Sequence, residues 1–154
     1  MHRTTKAGLR KRLKLPAKQA KIPWRTLALK LFPEHKECIS SKDEEFAIYN
    51  LFFQLRAQFA EAISSGDSEL AAKIIGFTGR CLEGELASDG EDLALAAGVS
   101  FFEHIFEDTP RKRWPAIFSC MPRVVYHLGR HYPERWMGPA AFAKLDADAT
   151  KFYG

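Results

Sequence analysis

The chain has 154 residues, 46% of them hydrophobic and 12% aromatic, a composition that suits one globular domain with a tail rather than a disordered chain. Its net charge of +4 hides three blocks: eleven Lys/Arg against Glu34 alone in residues 1–36 (+10), four against fifteen in 37–109 (−11), and eight against three in 110–154 (+5). No apolar run approaches the roughly 18–20 residues of a membrane span, and no apolar segment follows the basic start to make a signal peptide.

Residues 1–21 read as a basic arm broken by Pro16, and residues 22–154 as one helical domain. Pro23 suits the start of a helix, and Trp24, Leu27, Ala28 and Leu31 follow at i, i+3, i+4, i+7 until Pro33 ends the pattern. This short helix is expected to dock on the core through Trp24. Ser41 and Glu44 have the spacing of a capping box, with Asp43, Glu44 and Glu45 in the dipole-favoured first turn. They predict a central helix over 42–63 with a wide apolar band: Phe46, Tyr49, Phe53 and Ala60 on one side, Ile48, Phe52, Leu55, Phe59 and Ile63 on another.

Ser64-Ser65-Gly66-Asp67 is a turn, and Asp67 or Ser68 caps a helix over 68–83 with Leu70, Ile74, Phe77, Cys81 and Leu82 inward. Gly76 and Gly79 each weaken that helix by roughly 1 kcal/mol relative to Ala and leave room for a close helix neighbour. Ser88 and Glu91 make a second capping box ahead of a helix over 90–107, with Leu93, Ala96, Ala97, Phe101, Phe102 and Ile105 as core candidates. Asp108-Thr109-Pro110 breaks it. Trp114, Ile117, Phe118 and Met121 predict the next helix. Pro122 kinks it or opens another carrying Val124, Val125 and Leu128, which Pro133 closes. Gly138-Pro139 starts a short last helix with Phe142 and Leu145.

No stretch alternates with period two, and no 34-residue repeat recurs. The fold class is therefore all-α: a single-domain bundle of about six or seven helices in antiparallel pairs, with a basic N-terminal arm.

Catalytic signatures are absent. The chain has no Walker loop, no G-x-S-x-G, no G-x-G-x-x-G and no H-E-x-x-H. His127 and His131 have two-histidine spacing, but nothing nearby completes a ligand set, so neither a metal nor another cofactor is predicted. The cysteines Cys38, Cys81 and Cys120 are widely spaced with no C-x-x-C pair, which disfavours disulfides and places the chain in a reducing cytoplasm. Cys81 and Cys120 fall on apolar faces and read as small hydrophobes. Glu103, between Phe102 and His104, is expected to pair with Arg80 or Arg123. An enzyme would require Glu103, His104, His127 and His131 to converge, and the expectation is a non-enzymatic protein.

Charge gives two candidate surfaces. The first is acidic and suits a basic protein partner: Glu83, Glu85, Asp89, Glu91, Asp92, Glu107 and Asp108. Glu107 and Asp108 oppose the dipole at a helix end, a sign of use elsewhere. The second is basic and suits nucleic acid: Arg10, Lys11, Arg12, Lys14 and Lys18 in the arm, and Arg111, Lys112 and Arg113 beside Trp114.

The segments FAIYNLFFQLRAQFAEAISSGDSELAAKIIGF (46–77) and LALAAGVSFFEHIF (93–106) carry a resemblance. Over roughly 40–135 the chain resembles an uncharacterised family of small all-helical bacterial domains, some of which accompany polymorphic-toxin systems as immunity proteins. The resemblance implies a non-enzymatic protein-protein interaction module, an immunity-type toxin inhibitor that occludes a cognate toxin. The alternative is a nucleic-acid-associated accessory protein using the basic arm and the Arg111–Arg113 cluster.

Overall fold

Pro23 holds an extended backbone (φ −59°, ψ 136°) and hands over directly to helix α1, Trp24–Leu31. The computed structural model describes residues 20–42 and 44–154, with the backbone alone at 44 and 45. The arm cluster from Arg10 to Lys18, Asp43, and the Glu44 side chain that would complete the capping box with Ser41 therefore lie outside the described residues. Ile22–Pro23 (β1) pairs in parallel with Leu86–Ala87 (β2), Ile22 opposite Leu86, a ladder too short to show any period-two pattern.

Helix α1 buries Trp24, Leu27 and Ala28, the face its apolar spacing specifies. Buried Phe32 and the 3-10 turn Pro33–His35 end it, and α2, Lys36–Ile39, leads to the long helix α3, Glu44–Ser65. Gly66 takes φ +79°, a value that suits glycine, and turns the chain back into α4, Ser68–Leu82. Asp67 caps α4 by accepting from the Leu70 amide at 3.1 Å. Helices α3 and α4 form an antiparallel pair across this tight turn.

After β2, three pieces run on as one helical rod: α5, Leu93–Ala97, a π-helical segment, Gly98–Phe102, and α6, Glu103–Ile105. A 3-10 turn, Arg111–Arg113, opens α7, Trp114–Cys120. Helices α8, Arg123–Gly129, α9, His131–Met137, and α10, Pro139–Tyr153, complete the bundle. Among the described residues no helix is long and apolar enough to cross a membrane.

One buried core runs from Trp24 to Ala149. Its first half is an aromatic cluster in which Phe52 meets Phe77 at 5.6 Å and Phe59 meets Phe101 at 5.3 Å between ring centroids. In its second half Phe106 packs on Trp114, Phe118 and Tyr126. Such aromatic pairs add to burial through edge-to-face and offset contact. The Trp114 indole N–H donates to the Phe106 and Thr109 carbonyls at 2.9 and 3.0 Å, which secures the corner after the rod.

The all-α expectation holds, and its local details are corrected in five places. Ser88 does not cap the rod. Its hydroxyl donates to the Glu91 carbonyl at 2.7 Å, while Asp92 caps α5 by accepting from Leu95 N at 3.0 Å. Pro133 does not close a helix but sits third in α9, where a missing N–H costs no helical bond. The last helix, expected to be short, spans 15 residues. Val124, Leu128, Phe46 and Phe53 face outward, because each neighbours a helix face already buried by Val125 and Tyr126, or by Ala47, Ile48 and Phe52. Gly79 does meet a helix neighbour, since a Cβ there would lie 2.8 Å from Val125 Cγ2, but Gly76 faces open space.

Candidate functional site

The seven acids expected on one surface divide between the two ends of the rod. Glu83, Glu85, Asp89, Glu91 and Asp92 lie in the turn before it, and Glu107 and Asp108 follow it. The twelve-residue rise from Leu93 to Ile105 separates these ends by roughly 18 Å.

Most of these carboxylates already have partners. Glu85 pairs with Arg80 at 3.3 Å and Asp92 caps α5. Glu91 is nearly buried, with its side chain only 6% exposed. It faces Arg25 at 3.9 Å and accepts from the Asp89 amide at 3.1 Å. Arg25 also donates to the carbonyls of Ile39 and Ser41, so it ties α1 to α2 and to the acidic turn. Glu107 accepts from the Trp136 indole at 2.9 Å, and Asp108 takes both arms of Arg56, one at 2.8 Å. Glu83 and Asp89 are exposed. A hydrogen bond between neighbouring carboxyls, Glu83 and Glu85, raises the pKa of Glu83, helped by desolvation and by the Glu85 charge.

Arg111, Lys112 and Arg113 share one exposed 3-10 turn. Two of them are tied down: Arg111 binds both oxygens of Asp148 at 2.9 and 3.0 Å, and Arg113 donates to the Ser64 carbonyl at 2.9 Å. Neither expected partner reaches Glu103, since Arg80 is held by Glu85 and Arg123 by the Gly154 carbonyl. His127 and His131 are exposed and sit on different helices, split by Gly129 and Arg130. Among the described residues no group of three or more His, Cys, Asp or Glu is placed to hold a metal ion. Burial pushes the Cys81 thiol up to about 12 and the Cys120 thiol up to about 11, the opposite of an activated nucleophile.

A different surface emerges from the aromatic residues. On α3, Phe46, Tyr49, Phe53 and Arg56 recur at i, i+3, i+7, i+10 and so share one outward face. Phe46 is 54% and Phe53 53% exposed. Across the rod, α9 presents Tyr132 and Trp136, the latter 52% exposed. Val99 and Glu103 of the rod, with Tyr132, Arg135 and Trp136, line a hollow of about 400 Å³.

Both flanks are fixed to the rod. Arg56 holds Asp108 from the α3 side. Trp136 holds Glu107 from the α9 side and lays its ring against His104 at 4.7 Å. Tyr132 donates to the Ala94 carbonyl at 3.3 Å, directly over Gly98, where a Cβ would lie 2.1 Å from its ring. Burial is the main cause that raises the Tyr132 pKa, with Asp92, Tyr49 and Glu103 close enough to add to it against Arg135. Tyr132 of α9 thus sits on the π-helical segment, a backbone irregularity that recurs at functional positions. The sequence signal for the α3 flank was its over-wide apolar band, of which one side must face out. Trp136 gave no periodic signal.

Residues 25–136 match the model of a family described as a domain of unknown function, DUF7674, and the chain belongs to that family. The matched span holds both flanks of the aromatic face, from Phe46 to Trp136, and ends before α10. Its description names no activity and no toxin or immunity system. No curated protein and no solved structure matches the chain.

Proposed function

We propose that this chain is a non-enzymatic protein-binding module that meets its partner through the aromatic face formed by α3, the rod and α9. One observation carries the reading: Phe46 and Phe53 of α3 and Trp136 of α9 stay half exposed in a chain that buries most of its aromatics. Binding energy at protein interfaces concentrates in Trp, Tyr and Arg anchors surrounded by contacts that exclude water. This face supplies Trp136, Tyr132 and Arg135 in the lining of the hollow, and α3 adds Tyr49 and Arg56 on its outward face. Glu107 and Asp108 at the edge of this face are internally bonded, so they shape the surface more than they steer an encounter.

The specific role that the sequence resemblance implies is occlusion of a cognate toxin. The test is affinity capture from the native host with full-length protein, beside F53A and W136A variants. A single stoichiometric protein retained by the wild type, lost with both variants, and toxic when expressed without this chain supports that role. A partner held equally by both variants refutes the assignment of this face. The exposure of Arg111, Lys112 and Arg113 on one turn favours a second reading, a nucleic-acid accessory role. It predicts binding to arbitrary DNA or RNA that falls steeply with salt and is lost without residues 1–21. Salt-independent behaviour rejects it.

A further inference from the structure

A cleft of about 710 Å³ opens between the Arg111–Arg113 turn, the start of α7 and the last turns of α10. Its apolar part is Pro115, Phe118 and Phe152. Phe118 is buried, and its ring lies 5.6 Å from that of Phe152, which is 46% exposed. Leaving an aromatic ring half in water beside a second ring forgoes burial that the chain achieves for most of its phenylalanines.

The charged part is unbalanced: Arg111, Lys112 and Lys151 against Asp148 alone. Arg111 and Asp148 neutralise each other through their bidentate bond. That bond is the main reason the Asp148 carboxyl lies below its usual range, with the nearby Lys151 adding to it. Lys112 and Lys151 remain as the uncancelled charges of a lining whose uncharged members, Pro115, Phe118 and Phe152, are apolar. Cavities of this size, mostly apolar with a few convergent charges, are the usual form of small-ligand sites. A nucleic-acid track would need cations continuing along the surface, whereas Arg113 is turned away to the Ser64 carbonyl.

We propose that this cleft binds a small amphiphilic anion, its acidic head between Lys112 and Lys151 and its aromatic or aliphatic body on Phe118 and Phe152. The site is separate from the aromatic face and does not depend on it. It also reaches into α10, beyond the family-matched residues 25–136.

The experiment uses full-length protein and 8-anilinonaphthalene-1-sulfonate as probe, followed by fluorescence and calorimetry at pH 7. N-phenyl-1-naphthylamine serves as the uncharged counterpart. The expected result is saturable one-to-one binding of the sulfonate. The uncharged dye and the K112E/K151E double variant should each bind about tenfold weaker or worse, as expected when a complementary charge pair is lost. F152A, at a half-exposed position, should weaken the probe similarly without changing the circular dichroism spectrum. Displacement by decanoate identifies an aliphatic body, and displacement by naphthyl phosphate an aromatic one. The proposal fails if binding does not saturate at one site or if the uncharged dye binds equally well. It also fails if charge reversal in a folded variant changes nothing, or if inorganic phosphate competes as well as the amphiphiles.

Discussion

Gly98→Ala probes the glycine, among those described, with least room for a Cβ: the seat of Tyr132 on the rod. A Cβ at position 98 would lie 2.1–2.3 Å from three ring atoms of Tyr132. The backbone itself accepts alanine, because Gly98 has helical angles (φ −66°, ψ −59°). Alanine in a helix gains about 1 kcal/mol over glycine. Against this, overpacking costs about 1–3 kcal/mol, and the ring can escape only by giving up its bond to the Ala94 carbonyl, about 1 kcal/mol more. The net expectation is a loss of about 1–3 kcal/mol.

In a Tyr132→Ala background the clash and the hydrogen bond are both gone. The same substitution should then stabilise by about 1 kcal/mol. The sign reverses, and the coupling is about 2 kcal/mol or more. Urea unfolding of the four proteins, with m held constant across the set, measures it. An equal effect of Gly98→Ala in both backgrounds would refute the placement of Tyr132, and with it the floor of the aromatic face.

Phe59→Ala, in the buried face of α3, should cost about 3–5 kcal/mol, whereas Phe53→Ala six residues earlier should stay within about 0.5 kcal/mol of wild type. Thermal melts that rank the two the other way would invert the assigned face of the helix. Arg25→Ala should cost about 2–4 kcal/mol, because it frees the Ile39 and Ser41 carbonyls and leaves the nearly buried Glu91 carboxylate without its cation. Arg25→Lys should recover little of this, since one ammonium cannot reproduce the fork, and full recovery in urea denaturation would contradict that. The folded Cys81 thiol keeps its proton to about 12, while in the unfolded chain it ionises near 9.0, so the unfolded state loses the proton first. Stability is therefore complete below pH 9 and falls as pH rises from there. The loss at about pH 10.5 should be roughly 2 kcal/mol, and Cys81→Ala should flatten that slope in denaturant titrations across the range.

The helices were legible where one residue type could serve only one end of the argument. Asp67 after Gly66 marks a turn and a cap at once, and the structure uses both. Trp24, Leu27 and Ala28 bury as their spacing predicts. Legibility failed where two signals shared a residue. Ser88 and Glu91 have capping-box spacing, but Asp92 competes for the same helix start and wins by standing next to Leu93. Pro133 reads as a stop in isolation, yet becomes neutral once Gly129 and Arg130 have already broken the helix before it. The Glu103 expectation failed for a reason no local pattern contains. Its proposed partners were taken by Glu85, three residues past the end of α4, and by the Gly154 carbonyl.

Among the described residues, one arginine ion pair joins two of the charge blocks and four close within a block. Arg25 of the first block meets Glu91 of the second. Arg56 and Arg80, half of the bases in the acidic block, take Asp108 and Glu85. Arg111 and Arg130 of the third block take Asp148 and Asp146, two of its three acids. Pairs inside one block already cancel in its sum, so they leave the block's net charge unchanged but take those side chains out of reach of a partner, and partly exposed pairs of this kind contribute little stability beyond joining helices. Charges left over from such pairing say more about partners than block totals do. The two lysines of the α7–α10 cleft are such a remainder. The aromatic face needs no net charge at all, and for that reason a reading led by charge passed over it.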